Sequence, residues 1–179
     1  MKSFNWDSID ESSDGNFKPL PAGPYVASIV DAIDHSDREN VEVIFDIAEG
    51  EFKGYYDDDF GKKHPYAHHF YLSYRTDGGL RMTKARLMRI KDSNPGFDPF
   101  AAWDAGRLDM FKNRLVGVNL QEEEKQSGKT VLEVCQVVSA QDVRDGKVKV
   151  RPKKELEGSK KASTTTYSAS DDDFDIPFD

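Results

Sequence analysis

The chain has 179 residues, a formal net charge of −8 and a single cysteine, Cys135. One cysteine excludes an intramolecular disulfide and a zinc site of the multi-cysteine kind. No stretch approaches the roughly 18 apolar residues of a membrane-spanning helix, and the N-terminus lacks a signal-peptide pattern. We therefore expect a cytoplasmic protein that makes no membrane contact.

The first half of the chain predicts three β-strands. Residues 1–22 show no regular pattern, and we expect them to pack on the domain as an N-terminal segment. A first strand is predicted at 24–34, which is rich in β-branched and aromatic residues, and a second at 41–48, where apolar and polar residues alternate. The alternation at 68–75 predicts a third strand with Tyr71 on its polar face.

The second half predicts a helix and then two further strands. Residues 80–92 have apolar residues at helical spacing, and 100–112 are a weaker helical candidate. Apolar runs at 115–123 and 129–142, joined by a glycine-containing turn, predict a final strand pair. Residues 143–150 would add a short extension.

The predicted order of strand, strand, strand, helix, strand, strand is that of the OB-fold. This fold is a five-stranded Greek-key barrel with a helix between its third and fourth strands. We therefore predict a mainly β, OB-fold-like barrel over residues 23–151, although other five-stranded folds share the order. OB-folds bind oligonucleotides across their second and third strands and the adjoining loops.

The C-terminal part of the chain has a different composition. Pro152 and the charged run after it mark the expected end of the folded domain, and 158–170 are built mostly from Ser, Thr, Lys and Ala. Such a composition cannot bury enough apolar surface to offset the entropy of ordering, so 152–170 are predicted to be a flexible linker. As a coil, this linker spans on the order of 24 Å.

The last nine residues combine five aspartates with a few apolar side chains. Acidic residues would steer the encounter with a basic partner, and buried anchors would hold the complex. The predicted protein-binding residues are Asp171, Asp172, Asp173, Phe174, Asp175, Ile176, Pro177, Phe178 and Asp179. A generic acidic tail is the alternative interpretation.

The Asp run and the Ile-Pro-Phe ending resemble the acidic tip of bacterial single-stranded-DNA-binding proteins. In that family the tip recruits replication, recombination and repair enzymes, so the resemblance implies the same class of partner here. The bacterial tips end on Phe, whereas Asp179 follows Phe178 in this chain. This shifts the terminal carboxylate by one residue.

Three further motifs are Phe4-Asn5-Trp6, Leu20-Pro21-Ala22-Gly23-Pro24-Tyr25 and Glu49-Gly50-Glu51-Phe52-Lys53-Gly54. Through these motifs the domain resembles a family of small bacteriophage and prophage proteins from replication and recombination modules. Characterised members bind single-stranded DNA through an OB-like core. The resemblance implies a non-catalytic protein that protects single strands in the bacterial host cytoplasm and needs no cofactor or metal. It leaves the oligomeric state open, with a homodimer as one option.

Residues 60–115 form a basic stretch, with eleven Lys or Arg against five Asp or Glu. Single-stranded DNA offers phosphates to basic side chains and base faces to aromatic ones. Tyr71 and Arg75 share the polar face of the predicted third strand and are the first candidates. The other predicted DNA contacts are Tyr55, Lys62, Lys63, Arg81, Lys84, Arg86, Arg89, Lys112 and Arg114. The alternative for the arginines on the predicted helix is that they are solvated surface charges with no role in DNA binding. Tyr74 and Trp103 are expected in the core.

Two other functions and a zinc site stay open. Pro65 disfavours the helix that would align His64 with His68, and His69 would point to the opposite face of a strand from His68, so a zinc site is disfavoured. No known catalytic motif appears, but 33 acidic residues leave a metal-dependent nuclease open. A protein-interaction adaptor without DNA binding is the other alternative. Asp57–Asp59 would repel phosphate and instead suit contact with a protein or a cation.

Overall fold

The computed structural model describes residues 18–56 and 68–156. Five strands within these ranges form a nearly closed antiparallel barrel. The strands are β1 (Gly23–His35), β2 (Asn40–Ile47), β3 (His69–Ser73), β4 (Leu115–Glu124) and β5 (Thr130–Val138). They are ordered β3-β2-β1-β4-β5, with a helix between β3 and β4. The predicted OB-like architecture is confirmed.

The long first strand joins the two halves of the barrel. From Ala27 onward β1 pairs with β2, and from Gly23 to Ser28 it also pairs with β4. The β1–β2 register shifts between Ile29 and Asp31. Such a bulge bends the strand and increases its twist, which lets β1 curve around the barrel.

Alternation along the strands builds the core. Every second residue of β2 is buried, and its neighbours in the sequence are half-buried on the outside. The same alternation on β3 buries Phe70 and Leu72. Other fully or almost fully buried strand residues are Ala27, Ile29, Val43, Phe45, Val116, Val118 and Leu120. The side chains of β2 and β3 that point outward are therefore available to a ligand.

Within residues 18–56 and 68–156, the structure also has three α-helices and a 3-10 turn. They are α1 (Asp77–Ser93), α2 (Pro99–Asp104), the 3-10 turn (Leu108–Phe111) and α3 (Ala140–Arg144). None of the helices within 18–56 and 68–156 has the length and apolar character to cross a membrane.

Helix α1 packs against β3, β4 and β5, at the side where the barrel is not closed by strand pairing. Thr76 caps its N-terminus, because the Thr76 side chain accepts a hydrogen bond from Gly79 N. Thr83, Leu87 and Ile90 form its buried face. Thr83 Oγ1 also donates to Ser73 O at 2.8 Å, which ties the helix to the end of β3.

The C-terminal end of α1 holds the start of β4 and of α3. Asn94 Nδ2 donates to Leu115 O at 2.8 Å, and Leu115 N donates back to Asn94 Oδ1 at 2.9 Å. Ala140 N donates to Ser93 Oγ at 2.9 Å. These bonds fix the exposed face of α1 relative to the barrel.

The largest differences from prediction lie in the second helix and the last strand. In addition, β3 ends at Ser73 and not at 75, so Arg75 lies outside the strand on which it was predicted. The single helix predicted at 100–112 is instead α2 and the 3-10 turn, because Gly106 adopts a positive φ of 64° between them. The final strand predicted to reach residue 142 ends at Val138. It ends there because Ser139 caps α3, accepting a hydrogen bond from Asp142 N at 3.1 Å.

The segment after α3 returns to the barrel. Lys154 N donates to Glu122 O at 2.8 Å, and Glu124 N donates to Lys154 O at 3.0 Å. The first residues of the predicted linker at 152–170 therefore lie along β4. Residues 1–17 and 57–67, the rest of the linker and the tip at 171–179 lie outside the described residues.

Candidate nucleic-acid interface

The outward side chains of β2 and β3 form one continuous surface, the β2–β3 outer face. It consists of Glu42, Ile44, His69, Tyr71 and Ser73. Glu42 lies opposite Tyr71 in the register of the two strands, and Ile44 lies opposite His69. The Tyr71 side chain is 39% exposed, so an aromatic surface is accessible where OB-folds hold oligonucleotides.

A carboxylate at the centre of this face bridges two histidines. Glu42 Oε2 lies 2.9 Å from His35 Nε2, and Glu42 Oε1 lies 2.9 Å from His69 Nδ1. The His69 ring packs on Tyr71 with a centroid distance of 5.0 Å. Side chains from three strands thus support the Tyr71 ring. Sequence reasoning missed His35 and Glu42, because only the strand register brings them beside His69.

Four predicted phosphate contacts lie at or beside α1. Arg75 is exposed just before the helix, and Arg81, Lys84 and Arg89 are exposed along it. Arg89 also lies 3.7 Å from Asp92, an exposed pair of the kind that contributes little to stability. These side chains therefore remain able to contact a phosphate.

Arg86 lies on the flank of α1 that faces β3. Its guanidinium donates to the backbone carbonyl of Tyr71 and lies over the Phe70 ring, 5.8 Å from the centroid. Burial lowers the pKa of Arg86 below its ordinary value, although a guanidinium stays charged. Because Tyr71 O belongs to the outermost strand of the sheet, Arg86 satisfies a carbonyl that a neighbouring strand would otherwise bind. Its role as a DNA contact stays a prediction.

Lys112 and Arg114 lie on different surfaces. Lys112 Nζ is 3.0 Å from Asp31 Oδ1, and Asp31 is paired with Ile44, so Lys112 lies at the β1 side of the β2–β3 outer face. The Arg114 guanidinium instead lies 4.4 Å from the centroid of the Phe97 ring. The structure therefore brings Lys112, but not Arg114, to the candidate interface.

Tyr55 packs near the opposite end of β2 from Ser73. Its hydroxyl accepts a hydrogen bond from Leu20 N at 3.2 Å, and its ring contacts Phe52 with a centroid distance of 6.1 Å. The structure does not place Tyr55 on the β2–β3 outer face. Lys62 and Lys63 lie outside the described residues.

The three histidines considered as zinc ligands are only partly described, since His64 lies outside the described residues. His68 stacks on Tyr56 with a centroid distance of 4.7 Å, and burial lowers the pKa of its imidazole. Among residues 18–56 and 68–156, no group of three His, Cys, Asp or Glu side chains is arranged to hold a metal ion.

A cleft opens at the end of the barrel where β3 leads into α1. Its volume is about 240 Å³. Tyr74 and Trp103 form two of its walls, with rings 6.0 Å apart and inclined by 79°. Both side chains were expected in the core, but the structure leaves them half-buried. Tyr74 OH donates to Asp34 Oδ1 at 3.0 Å.

Comparison of the chain with models of protein families gives no match, and comparison with curated proteins gives none either. What the chain does must therefore be inferred from its fold and from the side chains on its surface.

Proposed function

We propose that the protein is a non-catalytic single-stranded-DNA-binding protein of phage DNA replication and recombination. The observation that carries this proposal is the position of Tyr71 on an OB-like barrel. Its ring is 39% exposed on the outer face of β3, in the region where such barrels bind oligonucleotides. A base stacked on this ring would gain roughly 1–3 kcal/mol whatever its identity, so binding would have little sequence preference.

The exposed basic side chains at or on α1 would hold the phosphates. Arg75, Arg81, Lys84 and Arg89 are exposed at or on α1, which packs against β3. The net charge of −8 does not oppose this role, because charges farther than about 10 Å are screened at ordinary salt. Since phosphate binding releases counterions, the affinity would fall as salt rises.

The acidic tip would recruit replication, recombination or repair enzymes of the bacterial host, as its resemblance implies. The predicted linker would keep the tip close to the basic side chains of the same molecule. Tethers of this kind give effective concentrations in the millimolar range. The tip would therefore compete with DNA, and truncation after Gly158 would tighten DNA binding.

An electrophoretic assay of the intact and truncated proteins tests the proposal. Each would be mixed at low salt with single-stranded DNA, duplex DNA and single-stranded RNA of equal length. We expect retardation of the single-stranded DNA, at lower protein concentration after truncation. If neither protein retards single-stranded DNA, the proposal is wrong.

Charge-reversal variants and a DNA-cleavage assay distinguish this proposal from its two alternatives. An adaptor without DNA binding would capture a replication enzyme through its tip, and this capture would survive charge reversal of Arg75, Arg81 and Arg89. A nuclease would shorten the DNA in the presence of magnesium and stop when a chelator is added. A DNA-binding protein would give intact DNA in both conditions and lose affinity on charge reversal.

A further inference from the structure

The cleft lined by Tyr74 and Trp103 has the volume to hold one flat ring. Its volume of about 240 Å³ exceeds the roughly 150 Å³ of a cavity that binds benzene, and lies below the roughly 300 Å³ at which pockets for drug-sized ligands begin. The two aromatic walls stand almost perpendicular to each other, at 79°. Val41 and Leu108 complete an apolar lining. A heterocycle can stack on one wall and meet the other edge-on.

A carboxylate lies at the edge of this apolar lining. Asp34 Oδ1 accepts a hydrogen bond from Tyr74 OH, and Asp34 Oδ2 accepts one from Ser36 Oγ at 2.7 Å. An ionised carboxylate has about four acceptor sites, so these two bonds orient the group and leave capacity for a ligand. Desolvation and the bond to Asp34 raise the pKa of Tyr74, so its hydroxyl stays a donor at neutral pH.

The cleft lies within reach of a strand bound at the β2–β3 outer face. Tyr71 and Tyr74 are three residues apart, about 10 Å along an extended chain. Because side chains at this spacing point to opposite sides, a bound strand meets both only by passing around the end of β3 at Ser73. Arg75 follows Tyr74 directly and is exposed. A single strand that stacks one base on Tyr71 could therefore place a neighbouring base in the cleft and a phosphate beside Arg75.

We propose that the cleft binds one nucleobase of the strand and favours cytosine over thymine through Asp34. This inference rests on the proposed function and adds a base preference to it. A carboxylate repels phosphates, so its place at a DNA-binding surface suits contact with a base. Carboxylates accept hydrogen bonds from the cytosine amino group. At the same position thymine presents a carbonyl, which Asp34 would repel.

Tryptophan fluorescence reports directly on the cleft. Trp103 becomes the only tryptophan in a Trp6→Phe variant, because the chain has two. The variant, with its acidic tip intact, is titrated with dye-labelled oligo-dC at low salt, and dye anisotropy and Trp103 emission are followed together. We expect Trp103 quenching to saturate with the anisotropy, and an abasic oligonucleotide of equal length to bind with much less quenching.

Each outcome of this titration has one meaning. If the anisotropy rises while Trp103 emission is unchanged, the cleft is not a base site and the proposed function stands. Equal quenching by the abasic oligonucleotide also overturns the base site. If the anisotropy does not rise with the intact chain or with the chain truncated after Gly158, the proposed function fails and the inference fails with it.

An Asp34→Asn variant tests the base preference. We expect the wild-type protein to bind oligo-dC about fivefold more tightly than oligo-dT, the lower end of what a good base contact discriminates. The amide can donate to the thymine carbonyl, so this ratio should fall to about one. If Asp34 only repels phosphate, both affinities rise by the same factor and the ratio is unchanged, which would overturn the preference. Thermal unfolding of the variant checks that the barrel is intact.

Discussion

Replacement of Tyr71 by alanine should weaken binding to single-stranded DNA without unfolding the barrel. The ring lies on the outside, 39% exposed, and contacts His69 rather than the core. Loss of one stacked base costs roughly 1–3 kcal/mol, which raises Kd about 5- to 150-fold. Because the residue points away from the barrel interior, the free energy of unfolding should change by at most about 1 kcal/mol.

Tyr71→Phe is the matched control, because it keeps the ring and removes only the hydroxyl. Both variants would be made in the chain truncated after Gly158, so that the acidic tip does not compete. Titration with fluorescent oligo-dT gives Kd, and urea unfolding gives stability. We expect Tyr71→Phe to bind within about threefold of the unsubstituted protein. If Tyr71→Ala binds equally well, or if Tyr71→Phe loses as much affinity, stacking on Tyr71 is not how the strand is held.

Three further predictions concern stability and are measured by urea unfolding. Burial holds the pKa of His68 below its ordinary value of 6.5, so the unfolded chain takes up the proton more readily than the folded chain. The free energy of unfolding therefore falls as the pH drops through 6.5. The His68→Gln variant should lose less stability than the wild type between about pH 7.5 and pH 5. A Cβ on Gly117 would lie 2.6 Å from Val138 Cγ2 and 2.7 Å from a backbone oxygen, so Gly117→Ala should lower the free energy of unfolding by about 1–3 kcal/mol. Gly78→Ala is the control: its Cβ would meet nothing closer than 4.0 Å, so this substitution should be neutral or stabilising. Arg86→Met would leave the Tyr71 carbonyl without its donor. Because this hydrogen bond is exposed and water can replace the donor, the substitution should cost about 0.5–1.5 kcal/mol. An equal loss from the exposed Arg81→Met would contradict the role given to Arg86.

Strand positions were predictable where one face alone is buried. The second strand was expected at 41–48 and is found at Asn40–Ile47, because alternation of apolar and polar residues marks a half-buried strand. Helix α1 begins earlier than expected, since Thr76 acts as its cap. Leu80 is the first residue of the apolar spacing that predicts a helix at 80–92, but it is 47% exposed. Periodicity gives the angle of a side chain around the helix axis. It does not show whether the barrel extends far enough to cover that turn of the helix.

The candidate site depends on contacts between different helices and strands, which the periodicity of the sequence does not predict. Arg86 is one step of about 100° around the helix from the buried Leu87, so it lies at the edge of the packed face. Only the fold shows that a β3 carbonyl lies beside it. The Glu42 bridge between His35 and His69 likewise depends on the register of three strands. Tyr71 could be placed on an outward face from the sequence, because its orientation follows from the position of one strand. Arg75 was expected on the same face, but it lies beyond the end of β3 at Ser73.

The central claim is that the OB-like barrel binds single-stranded DNA. Its most direct test is a fluorescence titration of the chain truncated after Gly158 with oligo-dT, at low salt and then at rising salt. We predict saturable binding whose affinity falls with salt, with a slope of up to about −3 in log K against log salt if the four exposed cations at α1 all contact phosphates. Absence of binding at low salt would contradict the claim.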